Sequence, residues 1–110
     1  MSVDGAERLT RATLRVLAVR ITGGEAQDLA SQLPDDLNQE LTGAEEAAHA
    51  LSFEQFEQRV RSETQSTDGS VAEGVRVVFS VLSQAVTPGQ FDDVVSHLPR
   101  EFRDALDIVE

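Results

Sequence analysis

The sequence contains no cysteine, lysine, tryptophan or tyrosine, and these absences narrow the chemistry that is open to it. Without cysteine the chain cannot form disulfides, thiolate metal sites, iron–sulfur clusters or a thiol nucleophile. The missing tryptophan and tyrosine remove side chains that often anchor protein interfaces. Long apolar runs are absent as well, so no segment is predicted to span a membrane.

The charge is predominantly of one sign, because 20 acidic residues and nine arginines give a net charge of −11 over 110 residues. This excess disfavours nucleic acids and anionic membranes as partners, since both carry negative charge. The length and the 40% apolar content fit a single soluble globular domain over residues 1–110. The acidic start lacks the apolar stretch of a secretory signal, so we expect a cytoplasmic location.

The chain contains an internal repeat. A shift of 65 positions aligns residues 10–45 with residues 75–110 without a gap, and eleven of the 36 aligned pairs are identical. We therefore predict one repeat at about 4–43 and a second at about 70–110, separated by a connector and linker helix at 44–64. The identical pairs are Arg11/Arg76, Val16/Val81, Leu17/Leu82, Thr22/Thr87, Gly24/Gly89, Asp28/Asp93, Ser31/Ser96, Leu33/Leu98, Pro34/Pro99, Leu41/Leu106 and Glu45/Glu110.

Helical spacing of apolar residues and capping signals predict three helices in each repeat. In a capping box, a serine or threonine and an acid or amide three residues later satisfy free N–H groups at a helix start. The predicted cap residues are Thr22 with Glu25, Ser52 with Gln55, Ser70 with Glu73, and Thr87 with Gln90. Pro34 and Pro99 each precede a short third helix.

The predicted fold class is therefore all-α: a bundle of about seven helices, with two pseudo-symmetric three-helix repeats joined by a linker helix at about Ser52–Glu63. The first helix of the second repeat carries more apolar surface than one stripe requires. Val77, Phe79 and Val81 lie beyond the Val71–Leu82 stripe, which predicts a central position for this helix.

Matching motifs in the two halves resemble a bacterial family catalogued as a domain of unknown function, number 2267. The motifs are Thr22–Glu25, Asp28–Pro34 and Leu37–Leu41, then Thr87–Gln90, Asp93–Pro99 and Phe102–Leu106. The segment with Ser52, Phe53, Phe56 and Val60 also resembles the central helix of the family, whereas the connector at 43–49 departs from its pattern. The resemblance implies an all-helical bacterial cytosolic protein, and it implies no activity and no catalytic residues.

Histidine offers two weak candidates for chemistry. Glu46 and His49 have the Glu-x-x-His spacing of carboxylate-bridged di-metal bundles, but such sites use a second copy of the unit. The second copy is missing, because Val94 occupies the matching position before His97. No spacing gives His97 a catalytic partner either. We therefore predict no metal, no cofactor, no catalytic residue and no enzymatic activity.

Charged residues at matching repeat positions suggest ion pairs. Arg11 and Arg76 recur, as do Asp28 and Asp93, so each arginine could pair with the aspartate of its own repeat. A functional role for these acids is the alternative.

Two classes of function remain open at this point. The favoured hypothesis is a non-enzymatic interaction or structural module that binds a protein partner, or a second copy as a homodimer, through an apolar groove between the repeats. The surplus apolar residues of the helix with Val77 and Val81 favour the homodimer. The alternative is a small-ligand-binding or metal-binding helical bundle.

Overall fold

A computed structural model describes residues 3–41, 49–64 and 71–106. Within these ranges the chain forms seven α-helices, a short 3-10 turn at Gln39–Leu41 and no strand, which confirms the predicted all-helical fold. The helices are α1 (Val3–Arg20), α2 (Gly23–Ala30), α3 (Asp35–Asn38), α4 (Phe53–Thr64), α5 (Val71–Ala85), α6 (Pro88–Ser96) and α7 (Arg100–Ala105).

The helix starts follow the caps and breaks of the sequence. Thr22 precedes α2 and Thr87 precedes α6, both in an extended conformation that ends the preceding turn. Pro34 and Pro99 stand in the same way before α3 and α7, because proline is compatible with the first turn of a helix and disfavours helix before it. The superposition of the two repeats stays a prediction.

The central helix of the fold is α1, which packs against α4, α5 and the 3-10 turn. It is buried around most of its circumference, and its small residues Ala12 and Ala18 allow neighbouring helices to approach closely. Its buried hydroxyl, that of Thr13, donates to the carbonyl oxygen of Leu9 at 2.7 Å and is therefore satisfied. The buried residues of α1 are Leu9, Ala12, Thr13, Leu14, Val16, Leu17 and Ala18.

The prediction of a central position is wrong for α5. This helix buries one face and leaves Val77 54% and Val81 59% exposed, although Phe79 is buried. The α5 helix packs mainly against α1, α4 and α6, and its buried residues lie on a single face. The additional apolar residues of α5 therefore did not mean that this helix is buried on all sides.

Four of the five phenylalanines hold the linker helix α4 to the second repeat. The rings of Phe53 and Phe56 each meet Phe102 edge to face at 5.4 Å between centroids, and Phe56 lies 6.4 Å from Phe79. Such edge-to-face pairs add to the free energy gained by burial. The guanidinium of Arg20 lies 5.9 Å from the centroid of Phe102, within the range of a cation–π contact.

Candidate functional site

The predicted metal candidates do not form a described site. Glu46 lies outside the described residues, and His49 is exposed, with its backbone N–H donating to the carbonyl oxygen of Val19 at 2.9 Å. Across ranges 3–41, 49–64 and 71–106, no group of three histidine, aspartate or glutamate side chains could hold a metal ion. Nothing in these ranges therefore supplies a ligand set around His49.

One capping box has both of its hydrogen bonds. The Ser52 N–H donates to Gln55 Oε1 at 2.9 Å, and the Gln55 N–H donates to Ser52 Oγ at 3.1 Å, just before α4. In the predicted box before α5, Ser70 lies outside the described residues, and the carboxylate of Glu73 is 3.4 Å from Arg76 Nη1.

The boxes before α2 and α6 differ from the predicted pattern. Each threonine hydroxyl accepts the N–H three residues later at 3.2 Å, Thr22 from Glu25 and Thr87 from Gln90. The long side chains bind each other instead of turning back, because Gln90 Nε2 donates to Glu25 Oε1 at 2.6 Å. Since α2 packs against α6, the two helix starts share their capping groups; we call this polar cluster the α2–α6 seam.

Gln32 completes the seam and was missed by the sequence reasoning. Its Oε1 accepts the N–H of Thr87 at 2.8 Å, the position that the Gln90 side chain would fill in a complete capping box. The available signal was a polar residue at matching positions of both repeats, Gln32 and His97. The sequence could not show that Gln32 reaches the opposite repeat.

Glu25 is the electrostatically perturbed group of the seam. Burial raises the pKa of Glu25, and the nearby charges of Asp93 and Asp28 raise it further, whereas His97 and the Gln90 hydrogen bond lower it. His97 Nδ1 lies 2.8 Å from the carbonyl oxygen of Asp93, which fixes its ring at the end of α6. The seam thus holds two helices together through polar contacts, and no nucleophile is placed against the histidine by the described contacts.

The first predicted ion pair is replaced by other contacts. Arg11 donates to the carboxylates of Glu7 and Glu40, at 2.9 and 3.3 Å, and to the carbonyl oxygen of Asp36 at 2.6 Å. Glu7 lies on α1 itself, and Asp36 and Glu40 lie on the third helical segment of the first repeat. The predicted partner Asp28 is exposed on α2. The geometry of the turn after Pro34 brings the segment at 36–40 to Arg11.

The second predicted pair, Arg76 with Asp93, is replaced in the same way. Arg76 binds Glu73 on its own helix and the carbonyl oxygen of Ala105 at the end of α7, both at 3.4 Å. Ala105 corresponds to Glu40 under the shift of 65 residues, so both arginines extend to the same position of the third helix. These contacts are exposed or partly exposed and have a structural role.

Residues that correspond between the repeats also contact each other. Glu25 and Gln90 are one such pair, joined by their hydrogen bond. Gly74 corresponds to Leu9, and a Cβ atom added at Gly74 would collide with the Leu9 side chain.

A shallow groove lies between α1 and α4. Its volume is about 320 Å³, and Arg15 at its side is paired with Glu40 at 3.2 Å and with Glu63 at 3.5 Å. The groove lies between the first repeat and the linker helix, and the expected groove between the repeats stays a prediction. It is lined by Arg15, Val16, Val19, Arg59, Ser62 and Glu63.

The second surface feature is the exposed side of α5, which we call the open face of α5. It consists of Val77, Ser80, Val81 and Gln84, all of which are exposed. Under the shift of 65 residues these positions correspond to Ala12, Arg15, Val16 and Val19 of α1. Three of those α1 residues line the groove against α4, and Ala12 is fully buried one turn away. The face that α4 covers in the first repeat therefore has an uncovered counterpart in the second.

Together, the described residues define a small all-helical fold with polar contacts between its halves and an exposed apolar face on α5. No helix in the described part of the chain is long and apolar enough to cross a membrane. Residues 2–105 match the family DUF2267, whose description is "Uncharacterized conserved protein". The chain therefore belongs to that family. No curated protein matches the chain.

Proposed function

We propose that this protein is a non-enzymatic helical interaction module that binds its partner through the open face of α5. The observation that carries the proposal is the exposure of Val77 and Val81, at 54% and 59%. Their counterparts in α1, Ala12 and Val16, are 0% and 3% exposed. Single exposed valines are ordinary, but here two of them occupy the helix face that another helix covers in the first repeat.

The chemistry of the face supports a protein partner. A helix that packs on α1 presents an apolar stripe with Phe56 and Val60, and both of these side chains are fully buried. An amphipathic helix of the same kind fits an apolar stripe such as Val77 and Val81, since anchors one turn apart are typical of helix recognition. A protein-binding face of this kind requires no catalytic residue.

The test uses the absence of native cysteine. A photo-crosslinker is attached to Val77→Cys, or to Gln27→Cys as a control on the exposed side of α2, and both proteins are irradiated in extract of the native host. We expect a defined polypeptide to cross-link from position 77 and not from position 27. Its purified form should bind the Val81→Glu variant at least tenfold more weakly than the unsubstituted chain, and Gln27→Glu should bind normally.

The proposal fails if Val77→Glu and Val81→Glu strongly lower the stability of the isolated chain. That result would mean that the two valines are packed inside the domain and are not available to a partner. Equal cross-linking from positions 77 and 27 would contradict the proposal as well, because it would show contact without preference for α5.

A small-ligand-binding bundle is the second candidate, and the groove between α1 and α4 supports it. Its volume of about 320 Å³ is at the lower end of the range for ligand pockets, roughly 300–1,000 Å³. Arg59 and Ser62 provide polar groups beside the apolar Val16 and Val19. Native mass spectrometry separates the candidates: a retained small molecule that is lost on Arg59→Ala favours ligand binding, whereas a bare chain favours the interaction module.

A further inference from the structure

We propose that the groove between α1 and α4 binds a small, singly charged carboxylate, with its carboxylate on Arg59 and a compact apolar body on Val16 and Val19. This inference rests on the second candidate function, whose ligand it names, and it does not involve the open face of α5. Three properties of the groove carry it: an arginine without a partner, an apolar floor and a small volume.

The two helices that form the groove run in opposite directions. Arg15 on α1 contacts Glu63 near the end of α4, at 3.5 Å. At the other end of the same interface, Arg20 and Phe56 both contact the ring of Phe102. Later positions of α1 therefore lie beside earlier positions of α4, so the order of side chains along the groove is fixed.

The two ends of the groove differ in charge. At one end, Arg15 is held between the carboxylates of Glu40 and Glu63, at 3.2 and 3.5 Å. At the other end lie Val19, one turn further along α1, and Arg59, one turn earlier on α4. The guanidinium of Arg59 has no ion pair or hydrogen bond within the described part of the chain. An anion is therefore repelled from the first end and attracted to the second.

Arg59 is available because the acid at helical spacing from it is engaged elsewhere. Glu63 lies four residues later on the same helix, a spacing at which an acid and a base can pair. Its carboxylate is instead placed against Arg15. Although acidic residues outnumber arginines by 20 to nine, this guanidinium remains open to a carboxylate from outside, and its planar fork can bind both carboxylate oxygens.

The groove provides an apolar floor beside that charge. Val16 is 3% exposed, and Val19 is partly buried and packs against the core. The hydroxyl of Ser62, three residues after Arg59, adds a hydrogen-bond donor on the same side of α4. Because the volume of about 320 Å³ is small for a ligand pocket, a short branched or aromatic body fits this floor.

Charge limits the ligand to a single negative charge. The net charge of −11 repels anions, and this repulsion grows with the charge of the ligand. One unpaired guanidinium balances one carboxylate. A phosphate monoester, which carries about −1.5 to −2 at neutral pH, would keep an unbalanced charge beside Glu63.

Titration of the ¹⁵N-labelled full chain with 3-methylbutanoate, followed by NMR, tests the site. We expect saturable shifts that are largest at the amides of Val19 and Arg59, with a dissociation constant on the order of 1 mM. The uncharged 3-methylbutanamide has the same apolar body and should bind at least tenfold more weakly.

Two arginine variants provide a matched comparison. Arg59→Gln should weaken binding of 3-methylbutanoate at least tenfold, and Arg8→Gln should change it less than twofold. Arg8 is a suitable control because it is also exposed and without a partner in the described ranges. It lies eleven residues before Val19 on α1, which is about 16 Å along the helix. Both variants should keep the urea midpoint of the unsubstituted chain, since neither removes a described contact.

Several results would overturn the site. One is the absence of saturable shifts at about 10 mM 3-methylbutanoate, tenfold above the expected constant. Equal binding of the amide and the carboxylate is another, and so is an equal effect of Arg59→Gln and Arg8→Gln, which would show only general attraction of an anion. If Arg59→Gln failed to fold, the comparison of amide and carboxylate on the unsubstituted chain would decide. None of these measurements involves Val77 or Val81, so the interaction proposal is judged separately by its cross-linking and stability tests.

Discussion

The pair Val16 and Val81 provides the sharpest test of this structure, because the same residue type occupies equivalent positions in the two repeats. Val16 is 3% exposed and Val81 is 59% exposed. Replacing each with alanine removes two carbon groups, and burial is worth roughly 0.8 kcal/mol per group, so Val16→Ala loses about 1.6 kcal/mol of burial. The cavity left beside α4 raises the expected loss to about 2 kcal/mol.

Val81→Ala should change the free energy of unfolding by less than about 0.5 kcal/mol, since most of its side chain is already in water. The change in helix propensity is the same for both substitutions and cancels in the comparison. Urea unfolding at micromolar protein concentration measures the pair without interference from self-association. With a slope of roughly 2 kcal/mol/M, Val16→Ala should lower the midpoint by about 1 M and Val81→Ala by much less.

Equal losses for the two variants would refute the reasoning. Such a result would show that Val81 is packed as closely as Val16, and the open face of α5 would not exist. A loss confined to Val81→Ala would contradict the central position of α1 as well. The comparison therefore tests the fold and the proposed binding surface together.

Three further predictions concern the helix caps, the seam and the metal content. Thr87→Ala should lower stability by about 1 kcal/mol through loss of the hydroxyl that accepts from Gln90, whereas Thr10→Ala, whose hydroxyl binds its own helix at Ala6, should have little effect in urea unfolding. Burial raises the pKa of Glu25, so its carboxyl group stays protonated to higher pH in the folded chain than in the unfolded chain. The protonated carboxyl therefore stabilises the fold at low pH, and this stabilisation is lost as the pH rises through the raised pKa. Glu25→Gln keeps an acceptor for Gln90 and should reduce this loss in urea unfolding measured at several pH values. Elemental analysis of the purified chain should find no stoichiometric metal.

For each of these three predictions, one experimental result would contradict it. An unchanged midpoint for Thr87→Ala would mean that its hydroxyl does not act as the cap. An unaltered pH profile for Glu25→Gln would show that another carboxylate dominates the titration of stability. About one metal ion per chain, lost in His49→Ala, would overturn the metal prediction and favour the ligand-binding alternative.

Much of the local structure could be predicted from the sequence, because its signals act over a few residues. Thr22 and Thr87 precede helices through hydrogen bonds to the third residue along the chain, and Pro34 and Pro99 restrict the residue before them. The all-helical class follows from these signals and from the apolar spacing. The membership in the family was also visible in the paired motifs.

The partners of long polar side chains could not be predicted from the sequence, because these partners come from other helices. Glu25 has the spacing to cap its own helix, yet Gln90 lies 65 positions away in sequence and offers a hydrogen bond at 2.6 Å. Arg11 similarly finds Glu40 in place of Asp28. A flexible side chain has several partners within reach, and only the packing of the helices decides among them.

Burial shows the same division between sequence and tertiary structure. The sequence determined that α1 and α5 are helices with equivalent apolar positions, because periodicity and capping depend on neighbouring residues. It did not determine that α4 packs beside Val16 and leaves Val81 open. That difference arises because α1 and α5 have similar faces, but the linker helix α4 packs on only the face of α1 that contains Val16. The aromatic contacts of Phe56 in α4 with Phe102 and Phe79 fix the position of α4.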